Sequence, residues 1–225
     1  MNLLKTTIAF IPLILLPLQM TTAEERIYYP SVHGAGFCWD TRSSGDCHNR
    51  IEAALKGKIP DLWSRSERNL VLTMKDGQNT KTYTDGTDEE EWPTFYSLMG
   101  LLLQRFWVIS AGHYEGGSFI ILDRITGQEV PACGPPIASP SGNYLLSINN
   151  GGDAQYTMNC IQIFRITPSG LHEEMKVVPP WGPSEAHWLD EKTFRVVPLC
   201  SDHRKSPDCG FPIAFVSHEG KWIQN

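Results

Sequence analysis

The sequence predicts an all-β fold of short antiparallel hairpins, with one or two short helices in its N-terminal half. Three observations carry this. Beyond residue 23 the chain holds 19 Gly and 16 − 2 = 14 Pro, spread evenly rather than gathered in a linker. Between them lie short runs rich in Val, Ile, Phe, Tyr and Trp, residues that suit a pleated, half-buried surface. Helical signal is confined to two places.

Taken in order, residues 1–23 read as a secretory signal and not as folded protein. Lys5 is the lone charge, Ile8 to Met20 is almost wholly apolar, and Thr21-Thr22-Ala23 supplies small residues before Glu24-Glu25-Arg26. The apolar run is too short to span a bilayer, so no membrane span is expected after cleavage. The remaining 225 − 23 = 202 residues carry 18 − 25 = −7 charges and are expected to form a single disulfide-braced β domain over 24–225. Asp46 or Asn49 is placed to cap a helix from Arg50 to Lys56, with Gly57 as its stop. Pro93 is placed to open a second helix with Phe95, Leu98, Met99, Leu102 and Leu103 on one face. The same run also reads as a buried strand, and Gly100 weakens the helix.

Strand signals then dominate. Leu70–Thr73 runs into the turn Asp76-Gly77. Phe106–Ser110 and Phe119–Leu122 flank Gly116-Gly117, and the second run turns at Thr126-Gly127 towards Val130. Tyr144–Ile148 follows Pro140-Ser141-Gly142, and Ile161–Ile166 meets Pro168-Ser169-Gly170. Thr193–Val197 follows Asp190-Glu191-Lys192, and Ile213–Val216 turns at Glu219-Gly220 into Lys221-Trp222-Ile223.

All six cysteines follow the signal, and an even count in an exported chain implies disulfides. Six cysteines permit 15 pairings. Spacing favours a sequential set: Cys38 with Cys47 and Cys200 with Cys209, each closing a short loop, then Cys133 with Cys160 across two neighbouring strands. No two cysteines have the close spacing of a zinc site, and no metal or cofactor is expected. The compartment is therefore periplasmic or secreted. The absence of an Asn-x-Ser/Thr sequon fits the periplasm.

A longer period is also visible. An apolar strand followed by a turn recurs as Phe119–Gly127, Ile161–Gly170 and Ile213–Gly220, at offsets of 161 − 119 = 42 and 213 − 161 = 52. Ala138–Leu146 and Ala186–Phe194 form a second pair, 186 − 138 = 48 apart. With a degenerate unit near Asn69–Tyr83, these repeats resemble the blades of a β-propeller, whose units hold four strands in about 40–50 residues. The resemblance implies an incomplete or small propeller-like arrangement. A β-sandwich whose hairpins happen to rhyme is the alternative.

For function, the acidic charge excludes an electrostatic nucleic-acid binder and disfavours anionic membrane surfaces. The sequence holds no serine-nucleophile elbow, no phosphate-binding loop and no His-Glu-x-x-His helix. The reading that remains is an exported, non-catalytic binding protein with a protein partner in the cell envelope. Its style is similar to inhibitor or immunity proteins that neutralise a toxic envelope hydrolase. The expected contacts are loops 112–118, 149–155 and 201–208, carrying His113, Tyr114, Glu115, Asn150, Asp153, Asp202, His203 and Arg204. Trp39, Trp92 and Trp181 lie in Pro/Gly-rich loops, where each ring either plugs the end of a sheet or anchors a partner; Pro179-Pro180-Trp181-Gly182-Pro183 reads as a stiff display for an exposed ring. The acidic run Asp85, Asp88, Glu89, Glu90 and Glu91 reads as a solvated loop. The alternatives are a structural envelope module and an exported hydrolase acting on glycans or peptides. A hydrolase would bring His113, Glu115, Asp153 and His187 into one cleft.

Overall fold

The computed structural model describes residues 28–29, 36–87, 89–113, 116–151, 157–199 and 211–225. The candidate signal, Asp88, Tyr114, Glu115, Asp153, Asp202, His203, Arg204, Cys200 and Cys209 lie outside them. Among the described residues the fold is all-β, with one α-helix near the N-terminal end and no closed barrel. No helix among the described residues is long and apolar enough to cross a membrane.

Helix α1 spans Ser44–Lys58. It starts six residues earlier than the expected Arg50, because Ser43 takes the cap: its Oγ accepts from the Asp46 N–H at 3.0 Å. The bend at Ser43–Asp46 is thus a helix start, and Cys47 in its first turn joins Cys38 as expected. Gly57 does not stop the helix. It ends at Ile59, whose N–H bonds the Leu55 carbonyl at 2.8 Å.

Four antiparallel sheets follow, each contiguous in sequence. The first holds β1 (Trp63–Ser66), β2 (Asn69–Thr73) and β3 (Thr80–Thr84). The second holds β4 (Phe95–Leu102), β5 (Phe106–His113), β6 (Gly116–Asp123) and β7 (Glu129–Ala132). The third holds β8 (Ile137–Ala138), β9 (Tyr144–Asn149), β10 (Cys160–Thr167) and β11 (Gly170–Val177). The fourth holds β12 (Pro183–Asp190), β13 (Thr193–Pro198), β14 (Ile213–His218) and β15 (Lys221–Gln224). Strands neighbour one another in chain order within every sheet. Such four-strand meanders in series are compatible with a blade-like arrangement.

The 93–103 segment is strand and not helix. β4 pairs with β5 from Phe95 to Leu102, and Gly100, at φ 136°, sits where the register shifts after Leu98. The repeated apolar runs land on the third strand of the second, third and fourth sheets. Each ends at a left-handed glycine in the last hairpin: Gly127 (φ 76°), Gly170 (φ 126°) and Gly220 (φ 76°). In the first sheet Gly77, at φ 72°, takes the same place after β2. That sheet therefore lacks a first strand, and α1 precedes it in the chain.

Burial shows the order of packing. β5 is buried at six consecutive positions and β10 at five, so the second and third sheets are covered on both faces. β2, β13 and β14 alternate, as one-sided sheets must. One apolar cluster joins α1 and the first sheet to the second through Ile51, Leu72, Leu98 and Trp107. A second joins the second to the third through Phe106, Ile121, Leu145 and Phe164. The last joins the third to the fourth through Ile161, Ile163, Phe194 and Trp222. The Cys133–Cys160 bridge forms as expected, but it joins the end of the second sheet to the third rather than two neighbouring strands. Gln162, buried inside β10, is satisfied there: its Oε1 accepts from the Cys133 N–H at 3.0 Å and its Nε2 donates to Glu173 at 2.6 Å.

Candidate functional site

Each of the three expected contact loops connects the second and third strand of its sheet: β5 to β6, β9 to β10, β13 to β14. In an antiparallel meander these connections share one end of the sheet, and the tight first and last turns share the other. The tight turns are bonded across sheets. Arg105 donates to the Thr167 carbonyl at 2.9 Å, and Gln128 donates to the Leu171 carbonyl at 3.1 Å. Glu191 accepts from the Ser139 hydroxyl and the Ser141 N–H, both at 2.9 Å. These bonds align the three sheets end to end, so the second-to-third-strand connections of all three leave from the opposite end. The expected 112–118 loop is, however, mostly paired strand, with only a two-residue hairpin between His113 and Gly116, and the long connections are those after β9 and β13.

At that end the base of the 149–159 loop is closed by asparagines. Asn149 Nδ2 donates to Thr157 Oγ1 at 2.9 Å and to the Met158 carbonyl at 3.0 Å. Asn159 Oδ1 accepts from the Gly151 N–H at 2.8 Å, and its Nδ2 donates to the Pro179 carbonyl at 3.3 Å. The Leu199 N–H bonds the Gly182 carbonyl at 2.6 Å. A Cβ on Gly182 would stand 3.3 Å from the Asn150 Cβ and 3.6 Å from the Leu199 Cβ. Exposed Asn150 is therefore packed beside the connection that precedes β12 and the one that follows β13. The same end displays Met158 (72%), Val178 (59%), Leu199 (45%) and Phe211 (73%) to solvent. Sequence reasoning missed these four because apolar residues beside strands read as strand ends.

The aromatic loops divide. Trp39 and Trp92 are 75% and 66% exposed. Trp181 is not displayed. It is 8% exposed and packs into the core between the third and fourth sheets. The flanking prolines set a stiff turn there, and the large apolar ring gains more from burial than from solvent.

His113, the last residue of β5, is exposed, with Nδ1 3.1 Å from Thr94 Oγ1. His187 lies on β12 in the fourth sheet, exposed, with Nε2 3.4 Å from Glu185. The two described members of the hydrolase constellation thus belong to different sheets. No group of His, Cys, Asp or Glu among the described residues is arranged to hold a metal ion.

The acidic run is only partly a solvated loop. Asp85 is half-buried: it accepts from the Tyr96 N–H at 2.7 Å and pairs with Arg65 at 3.1 Å. Arg65 also pairs with Glu52 of α1 at 2.6 Å, and Glu52 accepts from the Leu98 N–H at 2.9 Å. The network ties helix, first sheet and second sheet together. Glu90, exposed like Glu89 and Glu91, accepts from the Thr87 N–H at 3.0 Å within its own loop.

One turn before Glu52, half-buried His48 has its imidazole pushed below the ordinary value of 6.5 by burial, against the opposing pull of Glu52. The neutral ring is favoured in the fold. Below about pH 6.5 the unfolded chain therefore takes up a proton first, and stability falls until the lower folded value is passed. Urea unfolding at about pH 7.5 and 5.5 is expected to show a larger loss for the wild type than for His48→Gln. Equal losses would show that burial of this ring has no influence.

The chain matches no protein-family profile, no curated protein and no solved structure.

Proposed function

We propose that the protein is an exported, non-catalytic binding protein that neutralises a toxic hydrolase of the cell envelope. Its sheets form an incomplete, propeller-like series whose loop end engages the partner. The observation that supports this is that the long β9–β10 and β13–β14 connections and the short β5–β6 hairpin all leave from one end, opposite the bonded turns. Exposed Met158, Val178, Leu199 and Phe211 at the loop end add an apolar anchor surface of the kind that dominates protein interfaces. Two disulfides brace the described fold, which suits an oxidising compartment. The Cys133–Cys160 bridge lies at the loop end and limits the entropy lost on binding.

The test is co-purification of the tagged mature protein from native periplasm. A stoichiometric envelope hydrolase, inhibited on reconstitution, is expected. The double variant Met158→Asp/Phe211→Asp is expected to lose at least about tenfold in affinity, since interface anchors carry 1–2 kcal/mol or more each. Ile125→Asp, at the turn end, serves as the folded control that keeps binding. Absence of a stoichiometric partner, or equal binding by all three proteins, would remove the proposal.

A further inference from the structure

Asn150 is followed by Gly151, the only Asn-Gly pair in the sequence. The side-chain amide of an asparagine is open to attack by the backbone nitrogen of the next residue. Glycine, lacking a Cβ, leaves that nitrogen least hindered. The fold explains why glycine stands there. A Cβ on residue 151 would lie 2.2 Å from the Thr157 carbonyl oxygen and 3.1 Å from the Asn159 nitrogen, so the crossing of the two ends of the 149–159 loop admits no side chain. The same crossing governs the nitrogen. The Gly151 N–H donates to Asn159 Oδ1 at 2.8 Å, and Asn159 is held in turn by its Nδ2 bond to the Pro179 carbonyl at 3.3 Å. The Asn150 side chain is exposed to water and makes no hydrogen bond among the described residues.

We propose that Asn150-Gly151 is a site of spontaneous covalent modification, converted through a cyclic imide to aspartate and isoaspartate, with Asn159 as the positioning residue that slows it. The Gly151 nitrogen gives its proton to solvent and bonds to Asn150 Cγ. The Cγ–Nδ2 bond breaks, and Nδ2 leaves as ammonia with a proton from water. Water then opens the imide. Cleavage of the new bond to Cγ gives aspartate; cleavage of the bond to the original backbone carbonyl gives isoaspartate, whose main chain runs through Cβ. No oxidant or reductant takes part. An N–H that donates to Asn159 keeps its proton, and the bond must open before the nitrogen can close on Cγ. Either product adds one negative charge to the loop end, and isoaspartate also lengthens the backbone at the base of the loop. Asp76 and Asp85 precede glycines too, but they carry carboxylates and lose no ammonia.

The mature, disulfide-intact protein is held in warm, mildly alkaline buffer, and peptide mass spectrometry reads amide loss and isoaspartate at residue 150. Slow conversion is expected in the folded protein and faster conversion in urea. Asn159→Ala, which removes the acceptor, is expected to raise the folded-state rate about two- to tenfold, the weight of one hydrogen bond. Asn159→Asp, which keeps an acceptor oxygen, is expected to stay near the wild-type rate, and Asn150→Gln to abolish the isoaspartate. Phe194→Ala weakens the core elsewhere and separates local control from general unfolding; it is expected to leave the rate unchanged. A folded Asn159→Ala that reacts no faster than wild type, or a Phe194→Ala that accelerates as much, overturns the role of Asn159. Absence of conversion at residue 150 in both folded and unfolded chain overturns the site. The readout is chemical, so it stands or falls independently of any hydrolase partner.

Discussion

Replacing Arg105 with Met is expected to destabilise the protein by about 3–5 kcal/mol, the cost of leaving a buried charge without its partner. Asp123 is fully buried. Arg105 grips it with Nε at 3.0 Å and Nη2 at 2.6 Å, and the Ile125 N–H adds a bond at 2.9 Å. Burial raises the carboxyl pKa, but the guanidinium and that N–H outweigh it and hold the group below its ordinary value of 3.8. Stability from ionised Asp123 is therefore present above that value and is lost as pH falls through the lower folded one. In Arg105→Met only the Ile125 N–H and the Thr126 side chain still oppose burial, so the carboxyl's pKa rises and the gap between the two proteins should narrow on acidification. Denaturant midpoints across pH check both parts. Arg105→Met/Asp123→Leu is expected to recover most of the loss, because it removes the stranded charge. A single-variant cost under about 1 kcal/mol would reduce the pair to an ordinary surface contact.

Phe194→Ala is expected to cost a similar 3–5 kcal/mol, which for a chain of this size lowers Tm by roughly 10 °C. Phe194 is fully buried and lies flat on Phe215, with ring centroids 4.9 Å apart and planes 2° from parallel. Trp188 and Trp222 close on it at 5.5 and 5.4 Å. Removing the ring empties the middle of an aromatic cluster whose neighbours are too large to collapse. A double-mutant cycle with Phe215→Leu is expected to show about 0.5–1.5 kcal/mol of coupling. Phe211→Ala, two residues before β14, is expected to stay within about 0.5 kcal/mol, since its ring is 73% exposed. Equal effects at the two positions would contradict this account of the core.

What the sequence revealed follows from how each element is covered. The third strands of the second and third sheets, Phe119–Leu122 and Ile161–Ile166, are largely apolar because both faces of those sheets are covered, and the closing glycines are required by left-handed backbone. Those signals are local and strong. β1 and β12 were missed for the opposite reason. Trp63-Ser64-Arg65-Ser66 turns one wholly buried side chain inward, and Pro183–Asp190 places Ser184, Glu185 and His187 in solvent. A one-sided edge strand leaves little apolar period to read. The 93–103 segment misled because Leu98, Met99, Leu102 and Leu103 satisfy a helical spacing equally well, and only the neighbouring β5 decides between the two. The candidate site was legible as loops but not as side chains. Trp181 carries the composition of a display and the geometry of a plug, and Asn159 has no signature outside the fold that places it under Pro179.

The contiguity of each sheet also has a consequence for how the molecule comes apart. Each sheet is built from one unbroken stretch of chain, and each apolar cluster is shared by adjoining sheets. Stability is then close to a sum over units and their boundaries, as in a solenoid. Opening proceeds inward from the terminal sheets, and amide protons of β5 and β10 exchange last. A cell that cleaves such a chain near one end is left with a shorter stack and not an unfolded one.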